Sequence, residues 1–223
     1  KKDFIVYNMD DPLLTMALKD HPATITPFSM VRADMTFRLQ TNSIYGTNGS
    51  PLIAVQDLIL PGPHNLSNIL AASTAAHLMG ISDQRIAKIM GSFSGVEHRL
   101  EYVSAIDDVQ YINDSKATNL DAVVVALESF DQPLILIVGG QNKGADFRLL
   151  LPHIKASHVR LIISYGESGG EIVTALGDAV RSVQVTDLKS AVTSAQSLAV
   201  PGDVVLLSPG CASFDQFENF EER

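Results

Sequence analysis

The stretch Asn113-Asp114-Ser115-Lys116-Ala117-Thr118-Asn119 places an acid, a lysine and small polar residues on one turn. Before it, Val109-Gln110-Tyr111-Ile112 reads as a strand. After it, Leu120, Val123, Val124 and Leu127 have the i, i+3, i+4, i+7 spacing of a helix. Thr118 or Asn119 can cap that helix, and Asp121 suits its positive first turn. Amides exposed at a helix start attract anions, and a lysine beside them adds a formal charge. Two other apolar runs end in comparable turns. Residues 134–138 lead into Gly139-Gly140-Gln141-Asn142-Lys143-Gly144, and residues 204–207 into Ser208-Pro209-Gly210-Cys211-Ala212-Ser213-Phe214. The turn after residues 159–163, Ser164-Tyr165-Gly166-Glu167-Ser168, is more ordinary. Open parallel sheets bind ligands beyond the carboxyl ends of their strands. Lysines and hydroxyls collected on that rim suit a ligand carrying carboxylates or phosphates.

The elements that must position these turns follow from the rest of the chain. Beyond residue 113, strands at 134–138, 159–163, 183–185 and 204–207 alternate with helices near 147–155, 171–176 and 188–198. That alternation implies a doubly wound, mainly parallel sheet. Residues 101–106 and 109–112 pair as a hairpin across Asp107-Asp108. A Gly/Ser-containing break at 91–97 separates this unit from an earlier one, which sets a boundary at 94/95. In the earlier unit, strands are expected at 4–7, 24–26, 35–39 and 52–55. Pro12 starts a short helix, and 66–79 and 83–90 form two more. The 66–79 segment is almost entirely Ala, Leu, Ile, Ser and Thr, as in a helix packed on most of its circumference. Asn65 and Asn68 near its start can share one face.

Composition narrows the class. Of 223 residues, 46% are hydrophobic, so a substantial core is expected. The net charge of −9 argues against a nucleic-acid binder held by phosphate contacts. The single cysteine, Cys211, excludes an internal disulfide and reads as a small buried residue; this fits a cytoplasmic setting. No apolar run is long enough to span a bilayer. The chain opens Lys1-Lys2-Asp3 without methionine and enters a strand at once, so a piece of something longer is expected.

Several chemistries are disfavoured. Gly139-Gly140 lacks the Gly-x-Gly-x-x-Gly spacing of a dinucleotide site, and no Gly-x-Ser-x-Gly elbow of a hydrolase occurs. His98 has no metal-ligand spacing with His64 or His77. Gly46-Thr47-Asn48-Gly49-Ser50-Pro51 is superficially like a phosphate loop. Ser50 stands where the lysine should be, and Pro51 has no N–H to donate, so a hairpin is expected.

Taken together, the chain resembles the Mur ligases of peptidoglycan synthesis, nearest their D-glutamate-adding branch. The matching pieces are Gly62-Pro63-His64-Asn65-Leu66-Ser67-Asn68, His98-Arg99, the 113–119 turn, the 139–144 turn and residues 208–223. No Asp-Asn-Pro-Arg signature of the diaminopimelate- or lysine-adding branch is present. The resemblance implies that residues 1–94 are the end of a central ATP-binding domain, a truncated remnant. Residues 95–223 would be a C-terminal, dinucleotide-fold-like domain that brings in the amino acid. It implies ATP and Mg2+ as cofactors, with the phosphate loop and metal ligands upstream, and hence no amide-bond formation by this chain alone. Asn65 and Asn68 would contact the adenine side of ATP, Arg99 its phosphates and Asp114 its ribose. Lys116, also the candidate catalytic residue, and Thr118 would face the incoming amino acid. Lys143, Ser213 and Phe214 would bind its carboxylates, with Phe220 packing beside them. The partners implied are D-glutamate and a UDP-muramoyl-alanine precursor, with no nucleic acid, no membrane insertion and a monomeric state. Two alternatives stand beside this one: another Mur-type or folylpolyglutamate-type ligase, and a non-catalytic ligand-binding module using the same rim.

Overall fold

Hydrophobic periodicity switches from one period to another along the chain, and the architecture follows it. The computed structural model describes residues 3–60 and 62–223; Lys1, Lys2 and Pro61 lie outside the described residues. Two units result, one ending at Gly95 and the other beginning at Val96.

In the first unit, β1 (Phe4–Asn8) and β2 (Thr24–Phe28) pair in parallel, with α1 (Pro12–Ala17) between them. Pro12 occupies the first turn of α1, and the Asp11 carboxylate caps it by accepting the Leu13 and Leu14 amides. A small antiparallel meander follows: β3 (Arg38–Gln40), β4 (Ser43–Tyr45) and β5 (Pro51–Ala54). The strand expected at 35–39 is confined to the shorter β3, because Phe37 turns inward and is fully buried. Residues 46–50 form the loop of a hairpin. The Gly46 amide donates to the Ser50 carbonyl, and the Asp83 carboxylate accepts from both the Thr47 amide and hydroxyl at 2.8 Å. That loop is held from below by an acid, the opposite of a phosphate cradle.

Helices α2 (Pro63–Leu78) and α3 (Asp83–Met90) complete the unit. Leu70, Ser73 and Thr74 of α2 are buried, and most of its other residues are partly covered; Pro63, Asn68, Ala72 and His77 are exposed. The unit's own core is small, centred on Phe28, Phe37, Ile44, Leu70, Ile86 and Met90, and Leu66, Ile69, Ala71 and Ala76 of α2 pack against it.

The second unit is a six-stranded sheet, β10 (Ser182–Gln184), β9 (Val159–Tyr165), β8 (Leu134–Gly139), β11 (Val204–Gly210), β7 (Val109–Asn113) and β6 (Glu101–Ile106), in that spatial order. Every pairing is parallel except β6 with β7. Asp107 and Asp108 make the tight hairpin between those two with φ of +51° and +61°, a conformation that Asp tolerates better than most residues. Strand β8 is buried along its whole length, as its unbroken Leu-Ile-Leu-Ile-Val run requires. Its side chains alternate between two cores. Leu134, Leu136 and Val138 pack with α4 (Leu120–Leu127), α5 (Leu151–Ala156) and α6 (Gly169–Leu176); Ile135 and Ile137 pack with α7 (Leu188–Leu198). Helices on both faces leave the carboxyl ends of β7, β8, β9 and β11 along one edge, and the polar turns emerge there.

Candidate functional site

Four turns leave that edge, and the backbone ties them together. The Gly210 amide donates to the Ala117 carbonyl at 2.9 Å, joining the turn after β11 to the turn after β7. Gln141 and Ala212 exchange two hydrogen bonds at 2.9 and 3.0 Å, joining the turns after β8 and β11. Gly140 donates to the Tyr165 carbonyl, and its own carbonyl accepts the Ser168 amide and hydroxyl. The turn after β9, ordinary by sequence, is therefore a structural member of the rim.

The 113–119 turn is built as its residue types demand. Asn119 caps α4 by accepting the Ala122 amide at 2.9 Å. Asp114 is turned inward at 5% exposure, accepting the Ser208 hydroxyl at 2.8 Å and the Leu100 amide at 3.3 Å. Burial pushes its carboxyl up to about 6, against the pull of the Ser208 and Leu100 hydrogen bonds and the nearby Arg99 charge. Ser115, fully buried, donates its hydroxyl to the Phe220 carbonyl and accepts from Arg223 at 2.9 Å. Arg223 also reaches the carbonyls of Ser115 and Cys211, so the last residues lie over this turn. Lys116 stays exposed, its ammonium 4.7 Å from the centre of the Phe220 ring.

The 139–144 turn is shaped by Asn142. Its side-chain oxygen accepts the Gly144 and Ala145 amides, and its nitrogen donates to the Ala145 carbonyl and to Glu171. That clamp presents Lys143 outward, 5.8 Å from the centre of the Phe214 ring. Ser213 is buried at 2%, and its carbonyl receives the Gln216 and Phe217 amides, while Phe214 next to it is exposed.

The second unit thus gathers Lys116 with Phe220, Lys143 with Phe214, and Arg99 beside Asp114. Thr118 is half-buried on the same turn as Lys116. Asn65 and Asn68 belong to the first unit, in the opening turn of α2, where Asn65 is half-buried and Asn68 exposed. Sequence reasoning gave no role to Ser208, Ser115, Tyr165 or Arg223. Ser208 was legible in principle as a hydroxyl at a strand end, but nothing local marks Tyr165 or Arg223, whose partners are distant in sequence. Tyr165 is fully buried with its hydroxyl unpartnered, and burial pushes it up to about 12 even with the Arg223 charge nearby. Among the described residues no three His, Cys, Asp or Glu side chains converge as a metal-ligand set. No described helix is long and apolar enough to cross a membrane.

Comparison with known proteins gives this geometry a context. The family model described as "Mur ligase, glutamate ligase domain" matches residues 98–211. A UDP-N-acetylmuramoylalanine–D-glutamate ligase of Shouchella clausii is 40% identical over 222 residues, which cover 99% of this chain and 49% of that protein. The protein of that name from Bacillus subtilis is 38% identical over 224 residues, covering 99% and 49%. The chain spans about half the length of the curated relatives it matches. Among solved structures, MurF of Acinetobacter baumannii superposes with a TM-score of 0.70 at 16% identity, covering 99% of this chain and 51% of that one. The UDP-N-acetylmuramate–alanine ligase MurC of Thermotoga maritima gives 0.68 at 18%, covering 93% and 48%. These two likenesses speak for the fold.

Proposed function

The chain belongs to the Mur ligase family, and from that premise we propose that it works in an ATP-dependent ligase joining D-glutamate to a UDP-muramoyl-alanine precursor in peptidoglycan synthesis. One observation carries the reading most directly. Two exposed lysines, Lys116 and Lys143, stand on the two turns that flank the turn after β11 on one rim, each above a phenylalanine of the 213–220 segment. D-Glutamate has two carboxylates, and a pair of separated cations suits it. The names of the relatives support that amino acid.

In this reading Lys143, with the Ser213–Phe214 turn, receives carboxylate of the incoming amino acid, and Lys116 with Thr118 faces its reacting end. Arg99 and Asp114, both in the second unit, serve the nucleotide. The precursor's carboxylate takes the γ-phosphoryl group of ATP, with ADP as the leaving group, to give an acyl phosphate. The neutral amine attacks the carbonyl, a tetrahedral intermediate forms and loses one N–H proton to solvent, and phosphate leaves with the C–O bond electrons. Lys116 is the catalytic candidate because an ammonium there offsets the growing negative charge. The rigid, backbone-tied turns hold the amine in line with the carbonyl. No side chain of this chain is assigned to magnesium.

The test is phosphate release by the full-length protein given ATP, magnesium, the UDP-muramoyl-alanine precursor and one amino acid at a time. Release with D-glutamate and not with L-lysine, diaminopimelate or L-glutamate is expected. Release that is indifferent to the amino acid would remove the proposal.

A further inference from the structure

Glu101 and Asn113 face each other across β6 and β7. The Asn113 carboxamide fills all its roles locally. Its oxygen accepts the Ser115 amide at 3.0 Å, and its nitrogen lies 3.0 Å from His98 Nδ1 and 3.2 Å from the Glu101 carboxylate. That orientation is forced, since a flipped amide would set its oxygen against the carboxylate. Asn113 therefore donates to His98 Nδ1. The His98 ring accepts there and carries its proton on Nε2. Glu101 also accepts the His98 backbone amide at 2.8 Å, and the His98 carbonyl accepts the Lys116 amide at 3.0 Å.

The segment so held has an unusual backbone. His98 and Leu100 have φ of +65° and +45°, and Leu is a residue that resists that region. Such geometry persists only where surrounding bonds over-determine it. Between the two lies Arg99, exposed, and the Leu100 amide is the one that meets Asp114. The arch from His98 to Glu101 thus fixes the base of the Arg99 side chain and one of the two hydrogen bonds on Asp114.

We propose that Asn113 is a positioning residue for the nucleotide: its carboxamide clasps the 98–101 arch to the 113–119 turn and so sets where Arg99 and Asp114 stand. The proposal rests on the ligase reading for the identity of the ligand, while the clasp itself does not. Thr118 sits on the side of the turn secured from outside the arch, by the bond from Gly210 to Ala117, and the Lys116 amide has its own bond to the His98 carbonyl, which does not pass through the Asn113 carboxamide. Loss of the clasp should therefore be felt at the nucleotide far more than at the amino acid. A merely structural role would impair both alike.

Two measurements test this. Long-range 1H–15N correlation spectra of the 223-residue chain at pH 8 should show His98 as a fixed Nε2–H tautomer, and averaged ring nitrogens in Asn113→Leu. A wild-type Nδ1–H ring, or an unchanged fixed pattern in Asn113→Leu, overturns the clasp. In the full-length protein, Asn113→Leu should raise KM for ATP at least ~10-fold, the scale of one lost charge-assisted bond, with KM for D-glutamate within about threefold of wild type. Asn113→Asp keeps the acceptor for Ser115 and loses both donors, so it serves if the leucine variant misfolds, with the same ATP-selective loss expected. Glu101→Gln, which retains an acceptor, should stay near wild type. Equal changes in both KM values, or no change in either, overturn the positioning role. Wild-type protein that releases no phosphate with any amino acid would sink the ligase reading, and the spectra would still decide the clasp.

Discussion

Ser208 donates its hydroxyl to the Asp114 carboxylate at 2.8 Å, bridging the ends of β11 and β7 at a point where both side chains are buried. A carboxylate so placed is costly in its charged form, and its raised titration near 6 reports that cost. The second unit therefore carries a strained acid at the rim the proposed chemistry uses, a pattern common where function opposes stability.

The sign of the consequence is fixed. Protonated Asp114 favours the folded form, so this contribution is fully present below the ordinary carboxyl value of 3.8 and is lost as pH rises from there through about 6. Asp114→Asn should stabilise the second unit at pH 7.5 by about 2 kcal/mol and give no gain at pH 3.5. Urea unfolding at the two pH values checks it. Equal effects at both would mean that burial is not what shifts Asp114.

Asp203 behaves in the opposite way at the far end of the sheet. Burial alone would raise its carboxyl, but the Arg160 hydrogen bonds, the Val200 amide and the Arg160 charge together hold it below the usual range. Its stabilisation is present above the unfolded carboxyl value and is lost as pH falls through the lower folded one. The Asp203 side chain is 1% exposed and bonded to Arg160 and Val200, so Asp203→Ala leaves the Val200 amide without its side-chain acceptor and the partly exposed Arg160 guanidinium with the Leu198 carbonyl alone. A loss of about 1–3 kcal/mol is expected by urea unfolding at pH 7.

Lys143→Ala in the full-length protein should weaken use of D-glutamate by about 10- to 150-fold, the range for a charge-assisted contact, and change use of ATP far less. Steady-state kinetics with each substrate varied in turn decides it; unchanged parameters would make Lys143 an ordinary solvated lysine. Phe214→Leu should reproduce a small part of this, about two- to fivefold, because an exposed cation–π contact contributes about 0.5–1 kcal/mol.

How much of this was readable in advance differs by element. The β6–β7 hairpin, the strand-helix alternation and the Asn119 cap are local, determined by period, Asp-Asp and a capping amide, and they emerged as expected. The 35–39 strand was misread because alternation at Met35, Phe37 and Leu39 does not reveal that Phe37 is wholly buried in a bend. At the rim, Lys116 and Lys143 stood out as charges after strands. The inward turn of Asp114, the Asn113 contact with His98 and Arg223 on Ser115 depend on pairings across 94, 15 and 108 residues, which no local pattern encodes.

The rim's rigidity can be tested through two glycines of one turn. Gly140 has φ of +124°, and a methyl group there would lie 2.3 Å from the Ala212 carbonyl oxygen. That oxygen accepts the Gln141 amide, so the clash falls on the bridge joining the Lys143 turn to the Ser213 turn. The neighbouring carbonyl of Gly140 is already committed to Ser168, leaving no direction in which the chain can relax without breaking a buried bond. Gly144 has φ of +89°, but a methyl group there meets nothing within 4 Å. Both alanine variants carry backbone strain of about 1–3 kcal/mol; only Gly140→Ala adds a backbone collision in the interior. Gly140→Ala should therefore cost more than about 4 kcal/mol, and Gly144→Ala no more than its strain. Urea midpoints of the two variants measure the difference. Equal midpoints would show that the turns after β8 and β11 are not locked together, and that the two lysines are not held at a fixed separation before the amino acid arrives.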